Sequence, residues 1–122
     1  MLNRNELYET LGQEIVAEQF PWLAEFSIAW IESDSKKTNG DMPVFGECKK
    51  VSKDYSWCCP YDYMIIIYPE NCAYFSEKQL KILLEHELRH IGKNGKLIPH
   101  DVGDFRAIIS KYGDNWADEG AQ

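Results

Sequence analysis

Apolar residues recur at helical spacing through Leu7, Leu11, Ile15, Val16 and Phe20, which predicts an amphipathic helix that Pro21 ends. Asn3, with Glu6 three residues on, reads as its cap, so residues 1–21 are assigned to an N-terminal helix. The period then changes. Phe26-Ser27-Ile28-Ala29-Trp30-Ile31 alternates and then runs apolar like a strand, and the polar stretch 34–41 carries turn chemistry. A hairpin is expected there, returning through an alternating strand over 44–51. Tyr63-Met64-Ile65-Ile66-Ile67-Tyr68, bounded by Pro60 and Pro69, is a β-branched run that suits a buried strand.

Ser76 opens a second helix, with Gln79 as its capping-box partner and Leu80, Leu83, Leu84 and Leu88 as its buried stripe. Gly92 and Gly95 are expected to stop it, and Lys93–Lys96 to turn the chain toward Pro99 and His100. Asp101 can cap a last helix, in which Val102, Phe105, Ile108, Ile109 and Tyr112 recur at helical spacing up to Gly113. The chain shows no internal repeat, and residues 117–122 read as a flexible tail. The order is that of an α+β domain spanning 1–122: an N-terminal helix, a small, mostly antiparallel sheet of about three strands, then two helices.

A chain of 122 residues can bury roughly two-thirds of its unfolded surface, so neither a metal nor a disulfide is needed merely to fold it. A formal charge of -7 argues against a large nonspecific nucleic-acid footprint, which needs a basic face to displace counterions from phosphate. Lys93, Lys96 and Arg106 read as a solvated rim. The first six residues lack the apolar core of a signal peptide, and no apolar run approaches the length of a membrane helix, so a cytoplasmic protein is expected. There the four cysteines, Cys48, Cys58, Cys59 and Cys72, would be reduced and act as small buried hydrophobes. The large aromatics belong mostly to the core, with Trp57, beside Pro60 and Tyr61, expected to be the most exposed and a candidate wall of a substrate groove.

All three histidines fall within fifteen residues, as His86-Glu87-Leu88-Arg89-His90 and His100. Residues four apart lie on one helix face, so His86 and His90 can point at one ion while Glu87 reaches a water bound to it. Tetrahedral catalytic zinc takes three protein ligands and keeps a fourth position for water, and His100 is the candidate third ligand. Asp101 and Asp104 flank it and offer carboxylate oxygen as alternatives. Asp104 is also placed to accept the second N–H of a metal-bound imidazole, and Asp101 to cap the helix. Such a site activates water for attack on a carbonyl, with Glu87 as general base. Tyr112 and Arg89 are candidates to stabilise the oxyanion, neither of them assigned.

His86-Glu87-Leu88-Arg89-His90-Ile91, then His100-Asp101-Val102-Gly103-Asp104-Phe105, then Tyr112-Gly113 and Trp116, resembles the phage metallopeptidase domain family. Gly46–Val51 and Pro60–Tyr63 extend the likeness, which covers residues 26 to 116 and leaves the N-terminal helix outside it. More distantly the chain resembles the SprT-like proteases, whose third zinc ligand opens the next helix. Those proteins place Gly after that histidine, where this chain has Asp101, and are associated with DNA, which the acidic balance here does not match. The resemblance implies a minimal zincin: a zinc-dependent peptidase of phage or prophage origin working in a bacterial host. Its sheet would lie over the active-site helix, and its edge strand would pair with an extended peptide or protein substrate. Two other readings share the site. The domain could keep zinc but act as a phage-encoded inhibitor, an acidic module against a host factor. It could also hydrolyse a non-peptide amide. The acidic residues Asp34, Asp41, Glu47, Asp54, Asp62, Glu70, Asp114, Asp118 and Glu119 are spread along the chain as an ordinary solvated surface.

Overall fold

Asn5, not Asn3, caps the first helix: its side chain accepts the Tyr8 amide at 2.9 Å, and α1 runs over Glu6–Gln19. Leu2–Arg4 are instead a short strand, β1, in the computed structural model, which describes residues 1–98. The last helix, the 117–122 tail, and His100, Asp101, Asp104 and Tyr112 lie outside the described residues. A five-residue 3₁₀ turn at Pro21–Glu25 follows α1 and leads into β2, Ile28–Ser33. Beyond it β3 (Thr38–Asn39) and β4 (Met42–Pro43) form a small antiparallel hairpin around Gly40. The main sheet is completed by β5 (Gly46–Lys50) and β6 (Tyr63–Ile67), and α2 runs over Glu77–Leu88.

The architecture is α+β, with a mostly antiparallel four-stranded sheet in the order β1-β2-β6-β5. The expected hairpin between β2 and the 44–51 strand is not formed. The apolar run of β6 lies between them, parallel to β2 (Trp30 opposite Ile65) and antiparallel to β5 (Cys48 opposite Ile65). A strand apolar on both faces is best placed where it is covered on both, and the central position supplies that cover. The turn-rich 34–43 stretch forms its own β3–β4 hairpin instead. The count is thus four strands in the main sheet where about three were expected.

One face of the sheet packs on α1 and α2, with Leu11, Ile15, Phe20, Trp30, Tyr63, Ile65, Ile67, Leu84 and Leu88 in one core. Ala29, Ile31, Ile66 and Tyr68 form a smaller cluster on the other face. Trp30 is 1% exposed, and its ring lies against α1 where Gly12 leaves room. The capping box expected at Ser76 and Gln79 is present, with both reciprocal bonds. All four cysteines are free thiols, but none is fully buried as expected: Cys48, Cys59 and Cys72 are half-buried and Cys58 is exposed.

The two helices are joined by a polar contact inside this core. Glu85, 1% exposed, accepts from Gln19 Nε2 of α1 at 2.9 Å and from Arg89 Nη2 at 3.2 Å. The Arg89 guanidinium in turn lies 5.2 Å over the Phe20 ring.

A Cβ at Gly12 would stand 2.2–2.5 Å from three Trp30 ring atoms. Gly12→Ala is therefore expected to cost about 3 kcal/mol in urea unfolding, whereas Gly40→Ala, with no neighbour within 4 Å, should cost only about 1 kcal/mol for its positive φ. Arg89→Ala takes the cation from the buried Glu85 carboxylate, which keeps its bond from Gln19, and should cost about 2 kcal/mol. A double-mutant cycle with Glu85→Gln should show the two changes to be strongly less than additive.

Candidate metal centre

Every residue from Ile82 to Leu88 is buried, so the second half of α2 is enclosed on all sides although it carries Glu85, His86 and Glu87 in succession. Burying three polar side chains in a row is costly unless each has a defined destination. A helix turns about 100° per residue, so the three point in different directions. Glu85 faces α1, as described. Glu87 lies under the edge strand: a Cβ on Gly46 of β5 would sit 3.5 Å from its Cγ. His86 opens into a cleft of about 310 Å³ lined by Gly46, Glu47, Cys48, Lys49, His86, Glu87 and His90.

The helix ends earlier than its glycines suggested. Leu88 is its last residue, and Arg89 is a cap in αR conformation. The His90 amide bonds Glu87 O at 3.2 Å, a three-residue return that tightens the final turn. His90 remains one turn beyond His86, with ring centroids 5.3 Å apart and planes at 71°. Glu87 lies between them, Oε2 at 3.9 Å from His86 Nε2 and Oε1 at 4.0 Å from His90 Nε2. One ligand atom from each of the three residues falls within 4.8 Å of the others, so a single ion could be held among them.

A backbone carbonyl sets the second imidazole. His90 Nδ1 is 2.6 Å from Ile98 O, and Ile98 N returns a bond to His90 O, also at 2.6 Å. A carbonyl oxygen can only accept, so Nδ1 carries the proton, and in the neutral ring Nε2 is the nitrogen with the lone pair. Imidazole nitrogen with a carboxylate alongside, and a protonated second nitrogen bonded outside the site, is a donor set suited to a first-row transition metal rather than to calcium or magnesium.

Several participants had no signature in the sequence. Ile98 contributes only backbone, and Gly46 only the absence of a side chain. Cys48 lines the cleft with a thiol that burial, and then the Glu87 charge, push up to about 12, so it remains protonated and acts as a small apolar wall. Arg89, a candidate oxyanion donor, is tied to Glu85 and does not line the cleft. Trp57 is 84% exposed as expected, but it too is absent from the cleft lining. Lys93 and Lys96 are exposed, in keeping with a solvated rim.

No curated protein and no solved structure matches the chain. A family model does, over residues 1–122, so the likeness includes the N-terminal helix that the motifs alone had left outside. With its two histidines and intervening glutamate gathered at one cleft, the chain belongs to the family described as "Putative phage metallopeptidase", and is thus placed among metallopeptidases of phage.

Proposed function

We propose that the protein is a zinc-dependent peptidase of zincin type, with His86, His90 and His100 as metal ligands and Glu87 as general base. The observation that carries the reading is Glu87 Oε1 and Oε2, each about 4 Å from an imidazole Nε2, beneath the edge of the sheet. Ile98 hydrogen-bonds His90 through both its N–H and its carbonyl, and His100 is two residues further on. Two residues of chain span at most about 7 Å, within reach of the same ion for an imidazole side chain. Asp104 is assigned to accept the outer N–H of a ligating imidazole.

Bound zinc would lower the pKa of water and polarise the scissile carbonyl. Glu87 takes the proton of the attacking water on a carboxylate oxygen and delivers it to the leaving amine. Its burial keeps competing solvent from that carboxylate. Substrate is aligned by β5, the outermost described strand on the α2 side of the sheet. Tyr68 N donates to Phe45 O, and Val51 N to Asp62 O, so the odd-numbered backbone groups from 45 to 51 face β6. Those of Gly46, Cys48 and Lys50 point outward, where an extended peptide can add as a further strand. The substrate is accordingly a peptide or protein, as the family's chemistry implies.

The inhibitor reading draws no comparable support. Asp34 is paired with the N-terminus, Glu47 with Lys37 and Lys49, and Glu70 with Lys36. Asp62 accepts the Ser27 amide. These acids are spent on local contacts around the molecule. No helix among the described residues is long and apolar enough to cross a membrane. A site in the host cytoplasm fits the proposed phage origin.

Untagged protein purified without added metal should carry about one zinc per chain by elemental analysis, and His86→Ala, His90→Ala and His100→Ala should each lose it. Glu87→Gln should keep the zinc and lower peptide hydrolysis by about 10²-fold or more. Wild-type protein that takes up no zinc, even on reconstitution, would remove the enzyme reading. Retention of zinc by His100→Ala would move the third ligand elsewhere, with Asp101 and Asp104 next to be replaced.

A further inference from the structure

We propose that Tyr63 is a positioning residue of the metal centre, fixing the turn that presents Ile98 O to His90 Nδ1. This rests on the metal-binding reading given above, but the contacts it uses belong to the protein alone.

Tyr63 opens β6, where it is paired with Ile28 of β2 and Lys50 of β5, and it is 1% exposed. Its hydroxyl donates to Gly95 O, 32 residues away in sequence. Phe26 packs edge-on against its ring, with centroids 5.5 Å apart at 85°, which restricts where the hydroxyl can point. Burial, and then the charge of Asp62, raise the phenol pKa, so the group stays a donor at neutral pH.

Gly95 is shaped to receive this bond. It adopts φ +81°, and a Cβ there would lie 3.2 Å from the Tyr63 hydroxyl and 3.6 Å from Phe26 Cζ. Around it the chain closes a short turn, with Gly95 N on Gly92 O and Gly92 N on Lys96 O, both at 2.8 Å, and a bridge between Ile91 and Leu97. These bonds hold the turn to itself. Lys93, Asn94, Lys96, Leu97 and Ile98 are exposed, so burial anchors it only through Ile91, Gly92 and Gly95. The Tyr63 hydroxyl ties it to the centre of the sheet, and the far end of the turn is Ile98, which fixes the tautomer of His90.

Without that hydroxyl the turn can shift, and the His90 ring is then free to exchange its proton between nitrogens. The Nε2–H tautomer would then present N–H, not a lone pair, to the metal. A residue that served only to fill the core would lower stability and leave the tautomer alone.

The test is Tyr63→Phe, which keeps the ring and removes the hydroxyl. In metal-free wild type, long-range ¹H–¹⁵N spectra should show His90 as a single Nδ1–H tautomer. In the variant the two nitrogen shifts should move toward each other, and zinc affinity, measured by competition with a chromophoric chelator, should fall about tenfold. Gly95→Ala disturbs the same contact from the turn side and should move both readouts in the same direction, so it decides the matter if Tyr63→Phe fails to fold. An unchanged His90 tautomer in a folded variant, or zinc affinity within twofold of wild type, overturns the proposal. Wild type that binds no zinc overturns the peptidase reading instead, and the tautomer spectra of the metal-free protein then decide the role of Tyr63.

Discussion

The enclosure of Glu85, His86 and Glu87 at the buried end of α2 governs the rest of the structure. Most helices of a small domain keep a polar face in water, but here residues 82–88 have none. Each of the three polar groups therefore needs its own solution, and the surrounding elements provide them. The C-terminal end of α1 supplies Gln19 to Glu85, which Arg89, the cap of α2, neutralises from the other side. The sheet edge comes down over Glu87. The cleft takes the imidazoles.

The strand order follows from the same constraint. Had β2 and β5 formed the simple hairpin, β6 would have become an edge, exposing a Tyr-Met-Ile-Ile-Ile strand. Inserting β6 between them buries that strand and moves β5, with its polar Glu47, Lys49 and Lys50, outward to the side where α2 ends. The edge that can afford exposure is thereby the edge beside the histidines. A strand of mixed polarity at the rim and a helix of buried polar residues beneath it meet at one cleft.

Local signals were legible in the sequence and pairings were not. The periodicity of α1, the Ser76–Gln79 capping box and the buried run at 63–68 could each be read from residues close together in the chain. The central position of β6 depends on which strand pairs with which, and alternation carries no such information. β1 was hidden because three exposed residues, Leu-Asn-Arg, show no period, and its pairing with β2 moved the helix cap from Asn3 to Asn5. The helix ends a few residues before Gly92 and Gly95 because those glycines serve the following turn. At the site, the spacing of His86, Glu87 and His90 was enough to gather them. The carbonyl of Ile98, the hydroxyl of Tyr63 and the bare Cα of Gly46 were out of reach, since each acts through a contact between distant segments.

Gly46 shows how closely the fold and the chemistry are coupled. A methyl group there would meet Ile67 Cδ1 at 3.0 Å and Ile66 O at 3.2 Å before it reached Glu87 Cγ at 3.5 Å. The first two contacts would push β5 away from β6, and the third would occupy the space over the carboxylate. A glycine at the start of an edge strand is ordinarily a weakness, because it has no side chain to pack and loses the most backbone entropy on folding. Here the missing side chain lets the strand approach Glu87 and leaves the volume above its carboxylate open to the cleft. The outward-facing amide and carbonyl of the same residue lie at the rim of that cleft. Close approach of the strand and the openness of the cleft are therefore set by one residue, and a larger side chain at position 46 would oppose both.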